Sequence, residues 1–181
     1  YLLSTTNWQP YTWSVNNVAL AENLHMALGY WQGGRSNTAL KLWKSALLES
    51  MYLSASPGNF EQLSAYDEMR GELYRDFADP IGMAGRSLME GLFGIQPDAM
   101  NDSLRVRPGF PTNWSYSSIK SPDIDFDFKT DSTRGRSYYT ITQKYPHLLA
   151  TEFKIPVSDA GVERGLVNGQ SMPFQYDQGV G

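Results

Sequence analysis

Cysteine is absent from the 181 residues. That removes disulfides, thiolate metal sites and a cysteine nucleophile, without identifying a compartment. Histidine is scarce: His25 and His147 lie far apart and form no metal-ligand pair. No stretch approaches the roughly 18 consecutive apolar residues of a membrane span. Basic residues number 15 against 19 acidic ones, for a net charge of -4. That balance argues against a nucleic-acid footprint, which needs a concentrated basic face. Gly-x-Gly-x-x-Gly, the P-loop, His-Glu-x-x-His and Gly-x-Ser-x-Gly are all missing. Dinucleotide, phosphoryl-transfer, metalloprotease and serine-hydrolase chemistry therefore have no support, and neither cofactor nor metal is expected. No internal repeat or low-complexity tract is visible.

Aromatic residues are plentiful at 13%, including 5 Trp and 11 Tyr. They suit either core packing or platforms on which the C–H faces of sugar rings stack. The 41% hydrophobic content supports a real core. Tyr1 is not an initiator methionine and begins no signal segment. Both ends read as cut, so a fragment is expected.

Residues 1–13 are polar and aromatic, as in an extended lead-in. From Ser14, a fair N-cap, Leu20, Leu24, Ala27, Leu28 and Trp31 mark one face of a helix. Gly33 and Gly34 end it. Ser36 is expected to cap a second helix to about Leu53, with Leu40, Trp43, Leu47, Leu48 and Met51 inside, forming an αα-hairpin. Residues 54–66 read as irregular, with a short helical turn over 66–75. A third helix begins with Asp79 as N-cap and Pro80 at its first position. It runs to Gly94 with Ala84, Leu88, Leu92 and Ile95 on one side. Gly82, Gly85 and Gly91 lower its propensity but suit close packing on a neighbour. After Pro97 come short β-like runs at 104–107, 124–128, 137–143, 148–157 and 165–167, consistent with a small antiparallel sandwich. The domain boundary falls near residues 96–103, dividing 1–97 from 98–181.

The helix hairpin, the loop with its carboxylate and the glycine-rich third helix lead into Leu92-Phe-Gly-Ile-Gln-Pro-Asp98 and Leu104-Arg-Val-Arg-Pro-Gly-Phe-Pro-Thr-Asn-Trp114. This order resembles the end of an α-L-rhamnosidase-type or related (α/α)6-barrel glycoside hydrolase. Bacterial polysaccharide-degrading proteins of that architecture are the nearest likeness. The resemblance covers most of residues 5–130. It implies an α+β chain in which residues 1–97 supply the last barrel helices and residues 98–181 a C-terminal β-sandwich. The rest of the barrel would lie upstream or in a partner chain. It further implies an inverting mechanism: an acid protonates the leaving oxygen and a carboxylate activates water, the two roughly 6.5–9.5 Å apart. The general acid would lie outside this chain, leaving the isolated piece inactive. A periplasmic or secreted location and a carbohydrate substrate also follow from the resemblance.

Glu61 is the first candidate for the base. It stands in a loop where rhamnosidase-like enzymes carry Thr-x-Trp-Glu, and Asn59-Phe60-Glu61 keeps the aromatic and the glutamate only. Burial beside aromatics would raise its pKa toward useful values; an exposed loop glutamate is the plain alternative. Glu68 and Glu72 share a face if their stretch is helical, which a solvated helix explains equally. Asp79 replaces the Asn-His of rhamnosidase-like chains, and capping alone accounts for it. Trp8, Tyr11 and Trp13, beside Asn7 and Gln9, would form a sugar platform if the first helix lines the barrel; the alternative is packing of the lead-in. Tyr66 is a further candidate contact.

Glu22 and His25 can meet as a structural pair. Asp123, Asp125 and Asp127 lack the glycine turn of a calcium loop and fit the wet face of a strand. Asn101-Asp-Ser103 and Asn113-Trp-Ser115 fit the glycosylation sequon, without expected use in a bacterial chain.

Two other classes stay open. One is a non-catalytic carbohydrate-binding or structural module using Trp8, Trp13 or Trp114. The other is a polysaccharide lyase, with Tyr66, Tyr74 and Arg75 supplying the base and the charge neutralisation. A partial barrel would also expose apolar helix faces and favour self-association.

Overall fold

The computed structural model describes residues 1–4, 17–53, 63–64, 78–157 and 161–176. It is an α+β structure: a two-stranded sheet is interleaved with the helices, and two three-stranded sheets and a second two-stranded one follow them. No helix among the described residues is long and apolar enough to cross a membrane.

A two-residue strand, β1 (Asn17–Val18), precedes helix α1 (Leu20–Gln32). All five stripe positions, Leu20, Leu24, Ala27, Leu28 and Trp31, are buried. Asn23 is buried with them because its amide is fully used. It accepts from the Leu3 backbone N–H (2.8 Å) and donates to the carbonyls of Leu3 (2.9 Å) and Ala19 (2.8 Å). That pins residues 1–4 against the helix. Ser14 lies outside the described residues, and Ala19 precedes the first turn without a side-chain cap. The C-terminus is a Schellman motif. Gly34 has φ 75°, its N–H bonds the Trp31 carbonyl (3.0 Å), and the Arg35 N–H bonds Tyr30 (2.8 Å).

Helix α2 (Ser36–Leu48) continues as a π-helical turn over Glu49–Leu53. Ser36 is its first residue rather than its cap. The expected stripe is rotated too: Ala39, Leu42, Ala46 and Ser50 are buried, Leu40, Trp43 and Leu47 are partly covered, and Leu48 and Met51 are exposed. Packing on α1 selects the small alanines for the closest approach, which leaves the larger neighbours straddling the edges.

Strand β2 (Leu63–Ser64) pairs antiparallel with β1. The helical turn expected over 66–75 lies outside the described residues. Helix α3 (Ala78–Arg86) then becomes a π-helical turn over Ser87–Leu92, where the Phe93 N–H reaches back five residues to Leu88 (3.0 Å). Asp79 sits inside the first turn rather than capping it. Pro80 is still tolerated there, because first-turn N–H groups have no helical partner. Met83, Ser87, Gly91 and Leu92 face inward, and Ile95 has already left the helix.

The join is fixed by three glycines. Gly91 and Gly109 lie against the indole of Trp31, so a Cβ on either would overlap the ring. Trp31 Nε1 in turn donates to the Gly109 carbonyl (2.9 Å). Gly94, at φ 68°, lies against the backbone of Arg107 and Pro108. Gly82 and Gly85, expected to serve close packing, face open space, with nothing within 4 Å of where a Cβ would stand.

Past Gly94 the chain becomes β3 (Ile95–Asp98), β4 (Ser103–Val106), β5 (Tyr116–Lys120), β6 (Ile124–Asp131), β7 (Arg136–Gln143) and β8 (Ala150–Phe153). Strands β5, β6 and β7 form an antiparallel meander. In the other sheet β4 is central, antiparallel to β3 but parallel to β8, so the sheet is mixed and not wholly antiparallel as expected. The reason is that β8 joins after the whole β5–β7 excursion and returns in the direction of β4. Strand β6 alternates as its sequence implies: Ile124, Phe126 and Phe128 are buried, with Asp125 and Asp127 on the opposite face. Strands β9 (Leu166–Val167) and β10 (Gln170–Ser171) make a hairpin through Asn168 and Gly169, both with positive φ.

One hydrophobic cluster crosses from helices to sheets, uniting Ala27, Trp31, Ala39 and Leu42 with Leu104, Val106, Ile124 and Phe126. Phe110 stacks on Phe128 at 4.9 Å and meets Phe93 edge-on at 5.4 Å. These aromatics are core.

Candidate functional site

Most of the sequence-derived site residues (Glu61, Glu68, Asn7, Trp8, Tyr11, Trp13 and Tyr66) lie outside the described residues. Asp79 is described. Its carboxylate is exposed in the first turn of α3, where the helix dipole favours a negative charge. Glu22 and His25 are both exposed, and no ion pair joins them among the described residues. Asp125 is held by Lys144 Nζ at 2.6 Å, which accounts for it as part of a solvated strand face. Among the described residues, no three acidic or histidine side chains gather to hold a metal.

What the fold does assemble is a cleft of about 260 Å³ where helices meet sheet. Alternation along β4 sends Leu104 and Val106 into the core and Arg105 and Arg107 outward on one face. Register places Gln96 and Glu152 on either side of Arg105. Arg105 Nε bonds Glu152 at 3.1 Å, and Lys154 Nζ lies 3.9 Å from the other oxygen of that carboxylate. Arg107 is anchored differently: its Nη1 donates to the Gln32 carbonyl at 2.8 Å. That carbonyl is one of the unpaired acceptors at the end of α1, a favourable place for a cation. The opposite wall holds Trp31 and Glu90, with Glu90 paired to Arg86 at 3.0 Å. The lining thus carries three cations, Arg105, Arg107 and Lys154, against one carboxylate. Such a site can hold an anion; its groups do not make an acid–base pair.

A second feature lies on the outer face of the β5–β6–β7 sheet. Tyr116, Lys129 and Tyr138 stand in one row across the three strands. The tyrosines are 76% and 47% exposed, a wet aromatic surface rather than core. The next row holds Ser118, Asp127 and Thr140.

Shifted ionisations lie away from the cleft. Burial raises the Tyr139 phenol, and burial followed by the nearby Asp123 raises Tyr145. The Asp131 carboxyl is lowered, chiefly by the hydroxyl of Thr133.

Comparison with protein-family models, curated proteins and solved structures found no match for this chain.

The sequence marks Leu104-Arg-Val-Arg107 as a strand start, without bringing its arginines to a cleft. The signal was the Arg-x-Arg alternation, which puts both side chains on one face. Neither Lys154 nor the end of α1 could be placed beside them without the tertiary fold.

Proposed function

We propose that this chain is the C-terminal portion of an (α/α)6-barrel glycoside hydrolase acting on poly- or oligosaccharides. The observation that carries the reading is the join at Gly94: a helix hairpin and a third helix pass directly into sheets that share their core. In this reading α1 to α3 are closing helices of the barrel. The β3–β4–β8 and β5–β6–β7 sheets are the two layers of a sandwich that braces it. The exposed Leu48, Met51, Tyr52 and Leu53 at the end of α2 suit a surface covered by the rest of the barrel.

Glu61 acts as the base that takes a proton from the attacking water, while an upstream carboxylic acid protonates the departing oxygen, giving inversion. Glu68 and Asp79 are the other candidate carboxylates. Asn7, Trp8, Tyr11, Trp13 and Tyr66 are the candidate sugar contacts. The parent would work in the periplasm or outside the cell.

Glu61→Gln in the intact parent tests the reading on aryl glycosides and plant oligosaccharides. Turnover should fall by about 10²–10⁴-fold with the fold intact. Sugar release by both proteins would discard Glu61, and silence from both would discard the hydrolase.

A non-catalytic carbohydrate-binding module is the second reading, favoured by the exposed Tyr116–Lys129–Tyr138 row. Successive strands lie about 4.8 Å apart, so the two rings are about 10 Å apart, a span suited to a short run of sugar rings. In that case oligosaccharide would bind the silent parent, and Tyr116→Ala would weaken binding.

A further inference from the structure

The cleft at the helix–sheet junction has no part in the hydrolytic step above, yet its composition is specific. We propose that it is an oxyanion-binding site, taking a carboxylate or sulfate group through Arg107 and Arg105, with Lys154 at its edge.

Charge is the first reason. The whole chain carries -4, whereas three cations line the cleft against Glu90, with Glu152 beside two of them. Glu90 is engaged by Arg86. Glu152 draws on Arg105 and Lys154 together, and Arg107 has no carboxylate partner among the described residues. The second reason is geometry. Arg107 is held from behind by the Gln32 carbonyl, which orients the guanidinium while most of its N–H donors remain unused. A planar fork fixed in this way matches a carboxylate or sulfate edge through two parallel hydrogen bonds.

The rest of the lining adds selectivity. Gln96 spends its amide only on a long 3.4 Å contact with the Glu90 carbonyl. Trp31 has its N–H committed to Gly109 and so offers only an apolar edge. The volume of about 260 Å³ lies below the roughly 300 Å³ at which drug-sized pockets begin. It fits one charged ring or a free anion. A glycan-borne carboxylate as the source rests on the carbohydrate reading above; the anion site itself does not.

Calorimetric titration of the full chain with oligogalacturonate, a neutral oligosaccharide of equal length and inorganic sulfate tests the proposal. The same titrations are run on Arg105→Gln, Arg107→Gln and Arg107→Lys. At least one anionic probe should bind, and any binding of the neutral one should be unaffected by the arginine substitutions. Arg105→Gln and Arg107→Gln should each weaken anion binding roughly tenfold, and Arg107→Lys should recover only part of it. Tighter binding of oligogalacturonate than of sulfate assigns the site to an acidic glycan; the reverse order assigns it to a free anion. Absence of binding by both anions overturns the proposal, as does binding that Arg105→Gln and Arg107→Gln leave unchanged. Arg105 is exposed and bonds Glu152 rather than the end of α1, so its variant remains informative if Arg107→Gln fails to fold. Neither anion needs a catalytic base to bind, so failure of both sinks the cleft alone and leaves the hydrolase to the Glu61 test.

Discussion

Trp31 is 4% exposed and is clasped by Gly91 at the end of the third helix and Gly109 in the connection between β4 and β5. The indole fills space that only a missing Cβ provides, and interiors are packed too densely to yield it. Gly91→Ala should therefore cost about 1–3 kcal/mol, the usual range for overpacking. Gly82 and Gly85 sit in α3 with nothing near a Cβ, and alanine there should stabilise by up to about 1 kcal/mol through helix propensity. Urea denaturation of the three variants makes the comparison. Equal effects at all three positions would refute the clasp. Sequence alone treated the three glycines alike, because propensity is a local property and the neighbour that distinguishes them is a tryptophan on a different helix.

Between elements, Gln143 is the clearest tie. Its Nε2 donates to the Leu149 carbonyl and to the Thr151 hydroxyl, both at 2.9 Å, and its Oε1 accepts from the Leu149 N–H at 2.9 Å. The side chain thus imitates a paired strand residue and links β7 to the entry of β8 in the other sheet. Gln143→Ala should lower stability by about 1–2 kcal/mol, since partly buried backbone groups at Leu149 lose their partners. Amide exchange at Leu149 should accelerate more than at Phe126; unchanged protection there would remove Gln143 as the link.

The helices show how far element-scale reading goes. The α1 stripe was legible because its apolar residues outnumber the alternatives. The α2 stripe was not, because Ala39 and Ala46 are too small to stand out in a pattern, yet close packing prefers them. The π-helical turns were also invisible, although each has a buried serine bonding back to a carbonyl four residues earlier: Ser50 to Ala46 (2.8 Å) and Ser87 to Met83 (2.5 Å).

At the scale of the molecule, one core binds both halves. Because Trp31, Leu42, Leu104 and Phe126 belong to a single cluster, helices and sheets should lose structure together. Hydrogen exchange in rising urea should give the amides of Trp31, Leu42, Leu104 and Phe126 one common opening free energy. Helical amides opening well before those of the sheets would show two independent units.

Composition and period determined that this chain is α+β, that the helices precede the larger sheets, and that α1 and β6 bury the faces they do. Those are local facts, carried by residues within a few positions of one another. The parallel β4–β8 pairing, the rotated face of α2 and the basic cleft were decided by the tertiary structure. Each depends on residues tens of positions apart, and which of them meet is set by shape and packing rather than by any spacing along the chain.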